Sequence, residues 1–401
     1  MIVNRLKALA RHVLVSIGEG RGIVPFGVDR SNSWGIYLKL LVQPHDGIAP
    51  LLAGIKSAKK SIDILIFRMD WKALETALEA ASSRGIAVRA LIAYTNRGGE
   101  AKLRNLETRF LAAGITVGRT ADDLIRYHGK MMIVDRQTLF LLSFNFVHLD
   151  IDHSRGFGIV TKNTKIVAEA VKVFEADLNR QPYTAGLDSF VVSPANARKQ
   201  LTAFIKDAGK QLLIYDPKIA DKEIIRLLHD RAKAGVDIKI IGSMAGRTSN
   251  LAITPLTSMR LHTRTILRDG TQAFIGSQSL RQAELDARRE IGLIVKEPKL
   301  VKALLAHFEK DWESTGFEEG REAEKADTKQ AKPKTTEKAT KALVKEMPPL
   351  QTTLKKAIKQ AVARAGKEAV TNGELKSTVK DAVKTAVKEA VHEMAQQAQD
   401  D

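Results

Sequence analysis

The chain has 401 residues, 44% hydrophobic and 5% aromatic, with 64 Lys and Arg against 46 Asp and Glu and a formal net charge of +18. The length predicts two domains with additions. The charge predicts a polyanionic partner (nucleic acid, an anionic membrane surface or a phosphate-bearing substrate), against the plainer reading of a basic surface that serves solubility. The absence of cysteine excludes disulfides, cysteine-ligated metals and thiol catalysis.

No apolar run reaches the roughly 20 residues of a membrane span. Over residues 1–41, Arg5, Lys7, Arg11 and His12 interrupt the apolar residues. That segment reads as a short amphipathic helix instead of a signal peptide, in a cytoplasmic protein for which peripheral attachment at a membrane is a further reading. Apolar spacings of three and four predict a helix over 49–60. A strand follows over 61–67, then a helix over 71–85 with Gly85 as its C-terminal cap, then an apolar strand over 86–94. Alternation of this kind predicts α/β layers and a mainly parallel sheet covered by helices.

The stretch from Arg126 to Asp135 is apolar enough for a buried strand, yet it carries His128 and Lys130. Burying a lysine is costly unless it is paired or used. Residues two apart on a strand share a face, so the two side chains project together. A tight turn near Arg136 and Gln137 would pair this strand with the next apolar stretch, which carries Ser143 and Asn145. Asp135, an odd number of positions from His128, points away and serves the loop.

The chain then repeats itself. Ile55, Lys56, Ala58 and Lys60 recur 150 positions later as Ile205, Lys206, Ala208 and Lys210, and Gly85 recurs as Gly235. The motif of His128, Lys130 and Asp135 returns as His262, Arg264 and Asp269, followed by Ser277 and Ser279. Gly156 lies eleven positions after Asn145, and Glu290 eleven after Ser279. A doubled motif with doubled flanks is a far stronger signal than one copy.

His-x-Lys-x4-Asp, present twice and each time followed by a Ser-x-Asn-like turn, resembles the phospholipase D superfamily over residues 42 to 315. That superfamily includes cardiolipin synthases, phosphatidylserine synthases, phospholipases and nucleases. The resemblance implies two phospholipase D-like α/β domains, 42–185 and 186–316, packed about a pseudo-two-fold with one shared active site. It implies attack on a phosphodiester by one histidine, protonation of the leaving oxygen by the other, a covalent phosphohistidine, and no metal or cofactor. Lys130 and Arg264, with Ser143, Asn145, Ser277 and Ser279, would hold or support the phosphate. Asp135 and Asp269 would be structural. Glu290 would orient His128, making that residue the nucleophile and His262 the acid.

The chain departs from the pattern at four places. Arg264 replaces Lys, Ser279 replaces Asn, Ser143 lacks a preceding Gly, and Gly156 replaces the first acid, for which Asp150 or Asp152 could substitute. Three functions follow: a phospholipase D-like phosphodiesterase or phosphatidyltransferase on phospholipid, a nuclease of the same superfamily, or a degenerate phosphate-binding protein. Residues 317–350 read as a charged, disordered linker. Residues 351–401 read as an amphipathic helical tail, with self-association, a membrane surface and nucleic acid among its readings. From Phe317 onward there are 17 Lys and Arg against 14 Asp and Glu, so nearly all the excess charge lies before the tail.

Overall fold

The computed structural model describes residues 38–95, 99–246 and 251–317. The chain divides into two units, 1–315 and 316–401, and every element below lies in the first. The expectations for the tail, and for most of the N-terminal segment, fall outside the described residues.

The first half runs β1 (Leu38–Gln43), α1 (Ala49–Ser57), β2 (Ser61–Ile66), α2 (Lys72–Ser83), β3 (Ala87–Ile92), α3 (Glu100–Ala112) and β4 (Thr116–Arg119). It continues through β5 (Arg126–Tyr127), β6 (Met131–Val134), β7 (Thr138–Leu142), α4 (His148–Asp152), β8 (Ser154–Thr161) and α5 (Thr164–Leu178). The second half repeats the plan. It has β9 (Phe190–Val192), α6 (Ala197–Lys206), β10 (Gln211–Ile219), α7 (Lys222–Lys233), β11 (Asp237–Met244), β12 (Ala252–Thr254) and β13 (Arg260–Leu261). Then come β14 (Arg264–Arg268), β15 (Gln272–Gly276), α8 (Gln282–Asp286), β16 (Arg288–Arg289), β17 (Ile291–Val295) and α9 (Pro298–Glu313). No described helix is long and apolar enough to cross a membrane.

Each half builds one sheet, in the orders β1-β8-β7-β6-β2-β3-β4 and β12-β11-β10-β14-β15-β17-β9. The two orders are the same plan read from opposite ends. The expected mainly parallel sheet is not what forms. Along these two orders β2-β3-β4 and β10-β11-β12 pair in parallel and the remaining neighbours are antiparallel. The reason is local: the hairpins β6–β7 and β14–β15 insert beside β2 and β10, and a hairpin can only be antiparallel. Asp135 and Asp269 both sit at φ 54 in those hairpin turns.

The helices cover the sheets for the reason their spacing suggested. Leu51 and Ile55, then Leu74, Leu78 and Ala81, face Ile62, Ile64 and Ile66 in one core. Leu201, Phe204 and Ile205 do the same against Leu212 and Ile214 in the other. Fully burying each such side chain is worth about 1.5–3 kcal/mol. Gly85 (φ 81) and Gly235 (φ 90) end the equivalent helices α2 and α7, in the left-handed region that glycine tolerates best. The helix α3 lies between β3 and β4, and among the described residues it has no counterpart between β11 and β12. That insertion is why the repeat offset falls from 150 positions before it to 134 after it.

Candidate active site

The two motifs sit where the chain leaves one sheet for another. The short strand β5 pairs in parallel with β16 of the second half, Arg126 opposite Arg288 and Tyr127 opposite Arg289. In mirror fashion β13 pairs with β8, Arg260 opposite Ser154 and Leu261 opposite Arg155. The ladders continue as His128 N–H donating to Arg289 O (2.7 Å) and His262 N–H donating to Arg155 O (3.1 Å). Thus His128 and Lys130 do not lie on one core strand, as their spacing suggested. They flank Gly129 on a bend between β5 and β6, and the bend carries His128 across to the other half. A Cβ on Gly129 would lie 2.7 Å from Ile291 Cδ1 and 2.9 Å from Leu65 Cδ2, so any larger residue would have to displace both side chains.

The crossing explains how Glu290 reaches His128. Glu290 follows β16 directly, and its Oε2 is 2.8 Å from His128 Nδ1. Both are buried, Glu290 completely. The Phe67 ring stands edge-on to the imidazole at 4.5 Å between centroids. Lys130, 1% exposed, donates to His128 O at 2.6 Å, and its Nζ is 2.9 Å from each ring nitrogen. Arg264 repeats the backbone contact, Nη1 to His262 O at 2.6 Å, and adds Nε to Ser279 Oγ at 3.1 Å. The Arg and Ser substitutions in the second motif are therefore fitted to each other.

Burial, joined by Lys130, Arg264, Arg288 and Arg126, holds His128 well below the ordinary histidine value. Burial, then Arg264, Lys130, Arg260 and His128 itself, does the same to His262. Loss of water is the larger cause at both, ahead of the cations. Burial also pushes Lys130 down to about 7, against the pull of Glu290. Glu290 is raised by burial, with Lys130, the Ser277 hydroxyl and the arginines opposing.

The other motif residues have supporting places. Ser143 Oγ accepts Phe157 N–H at 3.0 Å, and Ser277 Oγ accepts Ile291 N–H at 3.1 Å. As acceptors these hydroxyls join β7 to β8 and β15 to β17, so they hold the frame. Asn145 donates its backbone N–H (2.9 Å) and Nδ2 (2.6 Å) to Asp150. Asp135 points out of the site and accepts from the N–H groups of Lys59, Lys60 and Ser61 at 2.7 to 3.1 Å. Asp269 does the same with Gly209, Lys210 and Gln211. Each aspartate bonds the loop entering the neighbouring strand.

Of the two substitute acids, Asp150 faces His262 (Oδ2 to Nδ1 3.4 Å), while Asp152 pairs with His148. Sequence reasoning missed Arg126, Arg260 and Arg288. Arg126 and Arg260 stand two residues before each histidine, a symmetry that the repeat offset makes visible. Among the described residues, no group of three His, Cys, Asp or Glu stands together as a metal-ligand set.

Residues 51–178 and 201–312 match the family model described as cardiolipin synthase, PLD-like domain, and together they make up more than half of the chain. No curated protein matches it. Among solved structures, the polyphosphate kinase of Porphyromonas gingivalis aligns with a TM-score of 0.58 at 22% identity, over 69% of this chain and 50% of its own. This chain thus spans half the length of that kinase. The phosphatidylserine synthase of Haemophilus influenzae Rd KW20 aligns with a TM-score of 0.53 at 11% identity, over 69% and 85% of the two chains. The phospholipase D family member Nuc of Salmonella typhimurium gives 0.34 at 23% identity, over 38% of this chain and all of its own. At these identities the first two share the fold.

Proposed function

The chain belongs to the cardiolipin synthase, PLD-like domain family, and from that premise we propose that it cleaves or transfers a phosphodiester, phospholipid first, through a phosphohistidine on His128. The observation that carries the reading is the contact between His128 Nδ1 and Glu290 Oε2, made across the two halves at 2.8 Å. A carboxylate on Nδ1 keeps the proton there and leaves the Nε2 lone pair for attack.

His128 Nε2 attacks phosphorus, and the bond from phosphorus to the leaving oxygen breaks as the P–N bond forms. His262 protonates the leaving oxygen. Water or an alcohol then approaches, gives its proton to His262 and attacks phosphorus. The P–N bond breaks and His128 is restored. Lys130 and Arg264 hold the non-bridging oxygens, where charge-assisted hydrogen bonds are strongest. The incoming phosphate charge offsets these cations and lets His262 carry the proton it donates.

Nuclease action is a second reading, favoured by one observation: residues 38–316, which carry the site, have 42 Lys and Arg against 30 Asp and Glu, +12 of the +18 excess. The test offers mixed phospholipid vesicles and plasmid DNA side by side, with the His128→Ala protein as blank. Release of headgroup or phosphatidyl transfer by the wild type alone supports the lipid reading. DNA cleavage alone moves the substrate to nucleic acid. Rapid quench with labelled substrate should leave acid-labile, base-stable label on the wild type and none on His128→Ala. Equal turnover by the two proteins would exclude His128 as the nucleophile.

A further inference from the structure

The two histidines are not held alike, and the difference has a structural cause. By position, the counterpart of Glu290 is Gly156. A Cβ on Gly156 would lie 3.0 Å from Phe144 Cδ1 and 3.3 Å from Phe144 Cβ, and Phe144 is fully buried. A benzyl group therefore fills the space that a side chain at 156 would enter. In the second half the counterpart of Phe144 is Gln278, whose amide is tied to Val191 O at 3.0 Å.

An acid nevertheless faces His262, and it comes from a different element. Asp150 on α4 is 2% exposed, with Oδ2 3.4 Å from His262 Nδ1. Its own counterpart is Glu284, which is bound by Arg281 and Arg288. Those two arginines correspond to Val147 and Ser154 in the first half, so Asp150 escapes the partners that occupy Glu284. Instead Asn145 fixes Oδ2 with two N–H groups, and Arg260 takes Oδ1 at 2.6 Å. His262 Nδ1 is buried without a hydrogen-bond partner, and this carboxylate is the acceptor beside it.

We infer that Asp150 is the positioning residue of His262, replacing the acid that the first half lost at Gly156. It keeps the His262 proton on Nδ1 when the ring is neutral and steadies the imidazolium when Nε2 carries the proton for the leaving group. The inference rests on the two-histidine reading above, but part of its test does not need turnover.

With histidine labelled in 15N, the full-length wild type should show His262 as the Nδ1–H tautomer, assigned by its loss in His262→Gln. In Asp150→Asn the His262 signal should move toward mixed tautomers while His128 stays unchanged. A wild-type His262 in the Nε2–H form, or a His262 tautomer indifferent to Asp150→Asn, would overturn the inference whether or not the protein is active. Kinetically, Asp150→Asn should slow cleavage of an alkyl phosphodiester by about 10- to 100-fold. It should leave the burst of p-nitrophenolate from bis(p-nitrophenyl) phosphate within about threefold, because that leaving group needs no acid. Equal loss on both substrates would mean structural damage and reject the role. The triple variant Asp150→Asn, Phe144→Ala, Gly156→Glu should recover at least about tenfold of the loss, since it reopens the original place. If the wild type cleaves neither diester, the proposed function fails, and the tautomer measurement still decides the inference.

Discussion

At the scale of single residues, burial suppresses charge on the bases gathered at the proposed site. His128 is held neutral by burial and then by Lys130, Arg264, Arg288 and Arg126, so its lone pair survives into acid. Lys130 is the opposite case, a cation that burial brings down to about 7. The sign of the pH dependence follows. Below pH 7 the free protein has charged Lys130 and neutral His128, the pair that attack needs. Above about 7 Lys130 loses its proton and its hold on phosphate. The plot of kcat/KM, which reports the free protein, should therefore show a step with an apparent pKa near 7 where Lys130 loses its proton, on a slope that rises toward acid because His262 must carry its proton, and should decline in acid only well below 6.5, where His128 is protonated. In Lys130→Arg the step near 7 should disappear, because arginine keeps its charge, while the slope set by His262 remains. An acid limb centred at 6.5 would mean the imidazole is not shielded from protonation. The paired motif residues could be read from the sequence because the motif occurs twice at one offset, although His128 and Lys130 flank a bend and do not share a strand. Asp150 could not be chosen over Asp152 that way, since the choice depends on which side of α4 faces His262 across the two halves.

At the scale of elements, the halves are joined by two crossed ion pairs, and the repeat offset relates one to the other. Arg155 on β8 grips Asp311 on α9 with Nε to Oδ2 at 2.7 Å and Nη2 to Oδ1 at 2.8 Å, and Tyr215 donates to the same carboxylate at 2.7 Å. Arg289 on β16 reaches Asp177 on α5 through Nε to Oδ1 at 3.0 Å, while Asp177 Oδ2 is buried without a partner. The second pair is the poorer one. Burial raises the Asp177 carboxyl to about 6 despite Arg289. Its folded value lies above the ordinary one, so folding favours its protonated form and its contribution to stability improves as pH falls through 6. Asp311→Ala should cost about 3–5 kcal/mol by leaving Arg155 buried and unpaired. Asp177→Asn should cost at most about 1 kcal/mol at pH 7, since its charge is already disfavoured there. Urea unfolding midpoints at constant slope measure both, and equal losses would contradict this ranking. None of this was legible in the sequence: two-residue strands such as β5 and β16 carry no periodicity, and a lone Arg or Asp on a helix does not announce a partner 112 or 156 positions away.

At the scale of the whole molecule, the repeat was readable because each half must bury its own sheet, which fixes the same apolar pattern twice. The mixed sheet was not, because helix–strand alternation says nothing about a hairpin slipping in beside β2. The inserted helix α3 is amphipathic but has no copy to reveal it. The same accounting sets where the chain can be cut. Every partner of His128, His262, Lys130 and Arg264 named above lies between Phe67 and Glu290, and the last clamp residue is Asp311 on α9. That helix also buries Leu304, Phe308 and Trp312, with Phe308 edge-on to Tyr215 at 5.0 Å. A protein ending at Gly316 keeps all of these and should melt as cooperatively as the full chain, with turnover of a soluble short-chain diester within about twofold. A protein ending at Glu297 loses α9, exposes Tyr215 and leaves Arg155 buried without its carboxylate. That loss combines removal of large apolar side chains at about 3–5 kcal/mol each with an uncompensated charge, more than a typical domain's 5–15 kcal/mol margin can bear. It should be insoluble or unfolded by circular dichroism. Inactivity of the first protein on the soluble diester would place part of the catalytic fold beyond residue 316. A folded, active second protein would show that α9 and its clamp are not what closes the halves around the site.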